Sequence, residues 1–264
     1  MSPVALWGRP RFRALDRTAE VVLFVLAKEA LRTDSPLDAE EQGLPAEVNL
    51  DTIGLQRSSR ESVEGLLASL RVRAASDLGT TEALDSAQVV YRVRAVRQDP
   101  PDLGYLQGAW AVTRWLCSLG ATAVLDGFPI VWRPSAEILE WRPDRELSIR
   151  REVSVTLETD AESGGKHILH TRGMGKFARF DLIARVQASE REKAGELLLG
   201  LAQAQALGHV LRVDRENWVT GVGGGRLVPY APGINAPEVN LNNDGLLLEA
   251  LTLEPKADEP VQLS

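Results

Sequence analysis

The order of apolar and polar positions along the chain predicts a mixed succession of strands and helices. Glu20–Ala27 (EVVLFVLA) is dense in β-branched and aromatic residues and reads as a buried strand. Ser58 and Glu61 stand at capping-box spacing, which predicts a helix running to about Ala75. On it, Val63, Leu66, Leu67 and Leu70 recur at intervals of three and four and form its buried stripe. Gln88–Val96 alternates, with Arg92 and Arg94 outward and Val93 and Ala95 inward, as a half-buried strand does. After Pro100-Pro101, Asp102 reads as the N-cap of a helix to Leu119. Its core stripe is Leu103, Leu106, Trp110, Thr113 and Cys117, with Leu116 alongside, and Gly120 suits a left-handed C-terminal cap. Ala121–Leu125 follows as a strand.

The second half begins after a Trp- and Pro-rich stretch, Phe128–Pro143. Glu152–Glu158 alternates as a strand, Glu162–Gly165 reads as a turn, and Lys166–Thr171 as its hairpin partner. Phe180–Val186 is a further strand. Ser189 and Glu192 repeat the capping-box spacing and open an apolar helix to Leu207, closed by Gly208. His209–Val213 and Leu246–Leu253 complete the strands. Gly223–Gly225 reads as a flexible turn, and residues 254–264 as a fraying tail. Segments 91–126 and 179–214 share a strand–helix–strand plan at an offset of 88, with SLGATAVLD facing ALGHVLRVD. Two readings stand: related halves, or the ordinary likeness of any two such units. The pattern as a whole predicts one α+β domain over residues 1–253. It would carry a mixed, mainly antiparallel sheet and three principal helices.

Composition narrows the class. Hydrophobic content of 44% and charged content of 25% are ordinary for a globular protein. The longest apolar run, Val21–Ala27, is strand-sized, far short of the roughly 18–20 residues that span a bilayer, so no membrane association is expected. The N-terminal MSPVALWGRPRFR lacks the charged-then-apolar order of a secretory signal. The one cysteine, Cys117, rules out an internal disulfide, and a cytoplasmic location is the expectation. A net charge of −7 argues against nucleic acid, whose binding needs a basic face. From Asp34 to Asp51 stand six acids (Asp34, Asp38, Glu40, Glu41, Glu47, Asp51) and no Lys or Arg. Such a stretch is either a solvated loop or a landing surface for a basic protein partner.

Candidate chemistry gathers in GGKHILHTRGMGKFARFDL, residues 164–182, which holds two of the three histidines and four glycines. On a strand, His167 and His170 point to opposite faces and cannot share a metal ion. No Cys pair or HExxH pattern supports one elsewhere, so neither metal nor cofactor is expected. His170, Arg172 and Asp181 compose a catalytic cluster on paper: a carboxylate orients an imidazole base while Arg clamps an anion. The competing reading has Arg172 pinning the glycine turn through backbone carbonyls, with Asp181 as its partner. Met174 and Phe177 would plug the core beneath it, leaving Lys176 and Arg179 for an anion or an acidic partner. Val222–Arg226 lacks the Gly-Lys-Ser/Thr ending of a phosphate loop, and no GxSxG elbow is present. Cys117 sits mid-stripe on an apolar helix face, as an inert thiol does. Asp126 and Asp214 end matched strands, where either site carboxylates or turn starters are found.

Leu169–Leu182 resembles a family of bacterial domains of unknown function with a Thr-Arg-Gly-Met…Lys-Phe-Gly…Pro-Asp-Leu signature. Thr171, Arg172, Gly173, Met174, Lys176, Phe177, Asp181 and Leu182 match it. Ala178 stands where the family carries Gly, and Phe180 where it carries Pro. The wider plan from Val89 to Asp214 is also similar. The resemblance implies no activity, only an association with accessory or immunity-type genes.

These readings lead to a non-enzymatic, bacterial cytoplasmic binding protein of immunity type. It would recognise another protein, a basic one at the acids Asp34, Asp38, Glu40 and Glu41, or an acidic strip or anion at Arg172, Lys176 and Arg179. Two alternatives differ in class. One is an enzyme on an anionic substrate, with His170 as base and Arg172, Lys176 and Asp181 around it. The other is a structural subunit of a homo-oligomer.

Overall fold

The computed structural model describes residues 5–159 and 166–253; the expected turn at Glu162–Gly165 and tail at 254–264 lie outside the described residues. The chain divides into two compact units, residues 1–8 with 20–147 and residues 9–19 with 148–264. The fold is α+β, with two mainly antiparallel sheets in place of the one mixed sheet expected across 1–253. Periodicity shows which side chains face a core. It does not show which strands pair, and that is where the expectation of a single sheet fails.

The first unit contains β1 (Thr18–Ala27), β2 (Ile53–Ser59), α1 (Glu64–Ser69), α2 (Arg71–Leu78), α3 (Glu82–Ser86), β3 (Val89–Gln98), α4 (Gly104–Ser118), β4 (Ala123–Asp126), β5 (Val131–Pro134) and α5 (Ser135–Glu140). Its sheet runs β2-β3-β1-β4-β5. One face packs Leu26, Val90, Ala123 and Leu125 against Leu67, Ala74 and Leu84 of the short helices. The alternate residues Val21, Leu23, Val25, Val93 and Ala95 are buried too, and α4 packs on β3 and β2. The expected α4 stripe is wholly buried, and Gly120 takes φ +109° as its cap. Within α4, buried Gln107 accepts from Trp7 N–H at 2.8 Å and donates to the carbonyls of Ala5 and Pro143. The helix expected from Ser58 is corrected. Ser58 lies in β2, and a 3-10 turn, α1 and α2 follow in succession, because β2 pairs with β3 through Ser59.

The second unit contains α6 (Ile149–Glu152), β6 (Ser154–Thr159), β7 (Lys166–Arg172), β8 (Asp181–Gln187), α7 (Arg191–Ala206), β9 (Glu216–Val219), β10 (Gly223–Pro229) and β11 (Gly245–Thr252). Its sheet runs β6-β7-β8-β11-β10-β9, antiparallel throughout except β8 with β11. On one face Leu169, Leu182, Ala184 and Val186 meet Ala194, Leu197, Leu198 and Leu201 of α7. On the other, Ile168, Ile183 and Leu247 pack with Ala236 and Val239. The capping box of this helix region lies at Gln187 and Glu190, not at Ser189 and Glu192.

Two further expectations change. Residues 209–213 form no strand: Asn217 bonds both the N–H and the carbonyl of Arg212, and Asp214 turns at φ +61°. Segment 179–214 therefore lacks the closing strand that 91–126 has in β4. Gly223–Gly225 is not a flexible turn but the start of β10. There a Cβ would fall 2.2 Å from the Thr252 carbonyl at Gly223 and 2.5 Å from the Asn217 carbonyl at Gly224. These glycines admit close strand approach.

Ala178 takes φ +54°, a left-handed conformation that an L side chain resists. Ala178→Gly should raise the unfolding free energy by about 0.5–1 kcal/mol, the relieved strain exceeding the added unfolded-state entropy. Urea titration followed by circular dichroism reads this directly.

Candidate functional site

The residues of 166–182 meet around a turn between β7 and β8. Gly173 begins it at φ +122°, where a Cβ would stand 2.4 Å from the Glu152 carbonyl. A 3-10 turn, Met174–Phe177, then buries Met174 and Phe177 completely. Asp181, at the start of β8, is fully buried and acts as the acceptor that closes the turn. Its Oδ1 accepts from Thr171 Oγ1 at 3.0 Å and Met174 N at 3.3 Å, and its Oδ2 from Asn243 Nδ2 at 3.1 Å. The Thr171 hydroxyl in turn accepts from Leu182 N at 2.8 Å. Burial raises the Asp181 carboxyl to about 6, against the pull of these donors and of Arg172.

The cations expected to stand ready for a ligand are buried. Lys176 and Glu152, 0% and 1% exposed, form an ion pair at 2.6 Å. Arg179, also 0% exposed, donates to the carbonyls of Ala178 at 3.1 Å and Arg13 at 3.0 Å. Lys176 and Arg179 are therefore corrected from surface cations to interior ones. Arg172 is 9% exposed and donates to the Asn240 carbonyl, which lies outside the glycine turn it was expected to pin. Asp181 feels Arg172 as a charge, while its hydrogen bonds come from Thr171, Met174 and Asn243.

His170 has no exposed surface, and its Nε2 lies 2.9 Å from Glu158 Oε1. The β6–β7 register sets Thr156 opposite His170 and Glu158 opposite Ile168, so the pair is a diagonal neighbour on one face. Burial holds the imidazole below its usual value, despite the carboxylate. The structure thus brings Thr171, Arg172 and Asp181 together and gives His170 a separate partner. Asn243, Glu152 and Glu158 were not singled out from sequence. Only the alternation of β6 against β7 carried any signal, and it concerned Glu158. Elsewhere, Cys117 is buried and its thiol is pushed up to about 11. Asp126 is buried and Asp214 exposed.

The acidic stretch presents the opposite arrangement. Asp34, Asp38, Glu40, Glu41, Glu47 and Asp51 are all exposed. Beneath them, the chain doubles back tightly, with Gln42 N–H bonded to the Asp38 carbonyl at 3.0 Å and Leu44 N–H to Ala39 at 2.8 Å. Arg142 donates to the Glu40 and Glu41 carbonyls at 3.0 and 3.3 Å, and Arg114 to the Glu41 carbonyl at 3.2 Å and Gln42 Oε1 at 2.7 Å. The guanidinium groups hold the backbone, and the six carboxylates form no ion pair among the described residues. Compared with family models, with curated proteins and with solved structures, the chain matches none.

Two predictions test the buried network. A carboxyl raised to about 6 from 3.8 contributes stability that is full below about pH 4 and is lost as pH rises through 6. The stability of the wild type relative to Asp181→Asn should therefore fall by about 2 kcal/mol between pH 4 and 6. Urea titrations of both proteins across that range measure it. His170, lowered from 6.5, has the opposite slope, losing its contribution as pH falls, and the paired comparison removes it. Separately, Lys176→Met removes the ammonium that faces buried Glu152 at 2.6 Å and should cost about 3–5 kcal/mol. Adding Glu152→Leu should recover most of that loss in the same denaturation assay.

Proposed function

We propose that this chain is a non-catalytic recognition protein whose acidic stretch, residues 34–51, docks a basic surface of another protein. The observation that carries this reading is the division of labour in the loop. Arg114 and Arg142 fix its backbone, while Asp34, Asp38, Glu40, Glu41, Glu47 and Asp51 face solvent without ion pairs among the described residues. A surface held in shape before binding loses less entropy on association. An exposed field of one sign speeds encounter with an opposite one and disfavours wrong partners. The burial of His170, Lys176 and Arg179 supports the non-catalytic half of the reading. A base and an anion clamp have to reach a substrate, and these groups are bonded inside the second unit.

The test is recovery of a protein partner on the immobilised full chain, compared with Asp38→Asn/Glu40→Gln/Glu41→Gln. A stoichiometric basic protein should be retained at low ionic strength. It should be released near 1 M salt, where screening acts within about 3 Å, and fail to bind the triple variant. Equal retention by the triple variant, or no stoichiometric partner at any salt concentration, overturns the proposal.

A further inference from the structure

The first unit contains a cavity of about 310 Å³ whose wall includes Leu6, Glu47, Val48, Arg97, Pro100 and Asp102. We infer that it is a binding site for a free α-amino acid with an aliphatic side chain. The inference shares Glu47 with the docking surface and otherwise rests on residues outside 34–51, Val48 apart. It stands on three charged groups in one cavity wall that form no ion pair among the described residues. The side chain of Arg97, half-buried near the end of β3, has no hydrogen bond or ion pair among the described residues. The planar fork of a guanidinium suits a carboxylate. Glu47 is exposed at the mouth and likewise forms no ion pair there. Asp102 uses Oδ1 to accept from Gly104 N–H at 2.9 Å, at the start of α4. Its Oδ2 has no partner among the described residues.

One cation and two anions sharing so small a space select a ligand that carries both signs close together. An α-amino acid does so on one carbon. Its carboxylate meets Arg97, and its ammonium meets Glu47 and Asp102, each a charge-assisted hydrogen bond. Leu6, Val48 and Pro100 offer the apolar surface for the side chain. The volume lies at the small end of the roughly 300–1,000 Å³ typical of ligand pockets, which suits a single amino acid rather than a nucleotide or a peptide. Gly104 keeps the wall open: a Cβ there would stand 3.0 Å from Leu6 Cδ1 and 3.2 Å from Val48 Cγ2.

Calorimetric titration of the full chain with L-leucine tests the site. Leucinamide, which lacks the carboxylate, and 4-methyl-2-oxopentanoate, which lacks the amine, are the comparison ligands. L-Leucine should bind one per chain with a Kd below about 1 mM, and each comparison ligand about tenfold or more weaker. Arg97→Gln and Asp102→Asn should each weaken leucine by about tenfold or more while the unfolding transition is kept. Both positions lie outside residues 34–51, so their failure is separable from failure of the docking surface. No binding of leucine below about 1 mM overturns the inference. So does equal binding of leucinamide, or unchanged leucine affinity in a folded Arg97→Gln protein.

Discussion

Asp181 has no solvent to ionise into, yet three donors from different parts of the second unit converge on it. Thr171 reaches it from the end of β7, Met174 from the turn, and Asn243 from the segment before β11. Burial and donation oppose each other here, which is why the carboxyl sits near 6 rather than at either extreme. The rest of the turn follows from closing that contact. Gly173 has to pass against the Glu152 carbonyl, and Met174 and Phe177 are driven into the core. Asp181 N–H bonds the Asp244 carbonyl at the point where β8 and β11 begin to run parallel.

The same turn shows how charge can be structural. Lys176 with Glu152, Arg179 with carbonyls and His170 with Glu158 are each neutralised or hydrogen-bonded within the unit. Losing water is tolerable for such groups only where partners replace it in good geometry. A cluster of His, Arg, Lys and Asp in sequence is therefore a poor guide to chemistry until its exposure is known. The first unit reverses the pattern: its arginines at 114 and 142 bond backbone and leave the acids outside, and Arg97 is left beside a cavity.

Local periodicity made several elements legible. β1 announced itself through a dense β-branched and aromatic run, α4 through a long stretch of matched period, and β6 through clean alternation. The burial of Val93 and Ala95 against exposed Arg92 and Arg94 followed from the pleat alone. The failures share a cause in specific contacts that hydrophobic period does not encode. Residues 209–213 have the composition of a strand, but the Asn217 side chain takes both backbone groups of Arg212. Gly223–Gly225 looks like a linker until Thr252 and Asn217 approach within the space a Cβ would fill.

The sequence by itself determined the α+β class, the positions of the main strands and helices, the buried faces and the outward acidic stretch. Each depends on neighbours within a few turns or pleats, so the information is local. Tertiary structure alone decided that the strands form two sheets and that Lys176 and Arg179 lie inside. It also decided that Asp181 answers to Thr171 and Asn243, and that Glu47, Arg97 and Asp102 share one wall. Strand pairing and the desolvation of a charge both depend on groups far apart in sequence, as when Arg179 reaches the Arg13 carbonyl 166 residues away. No local pattern encodes which of those groups will arrive.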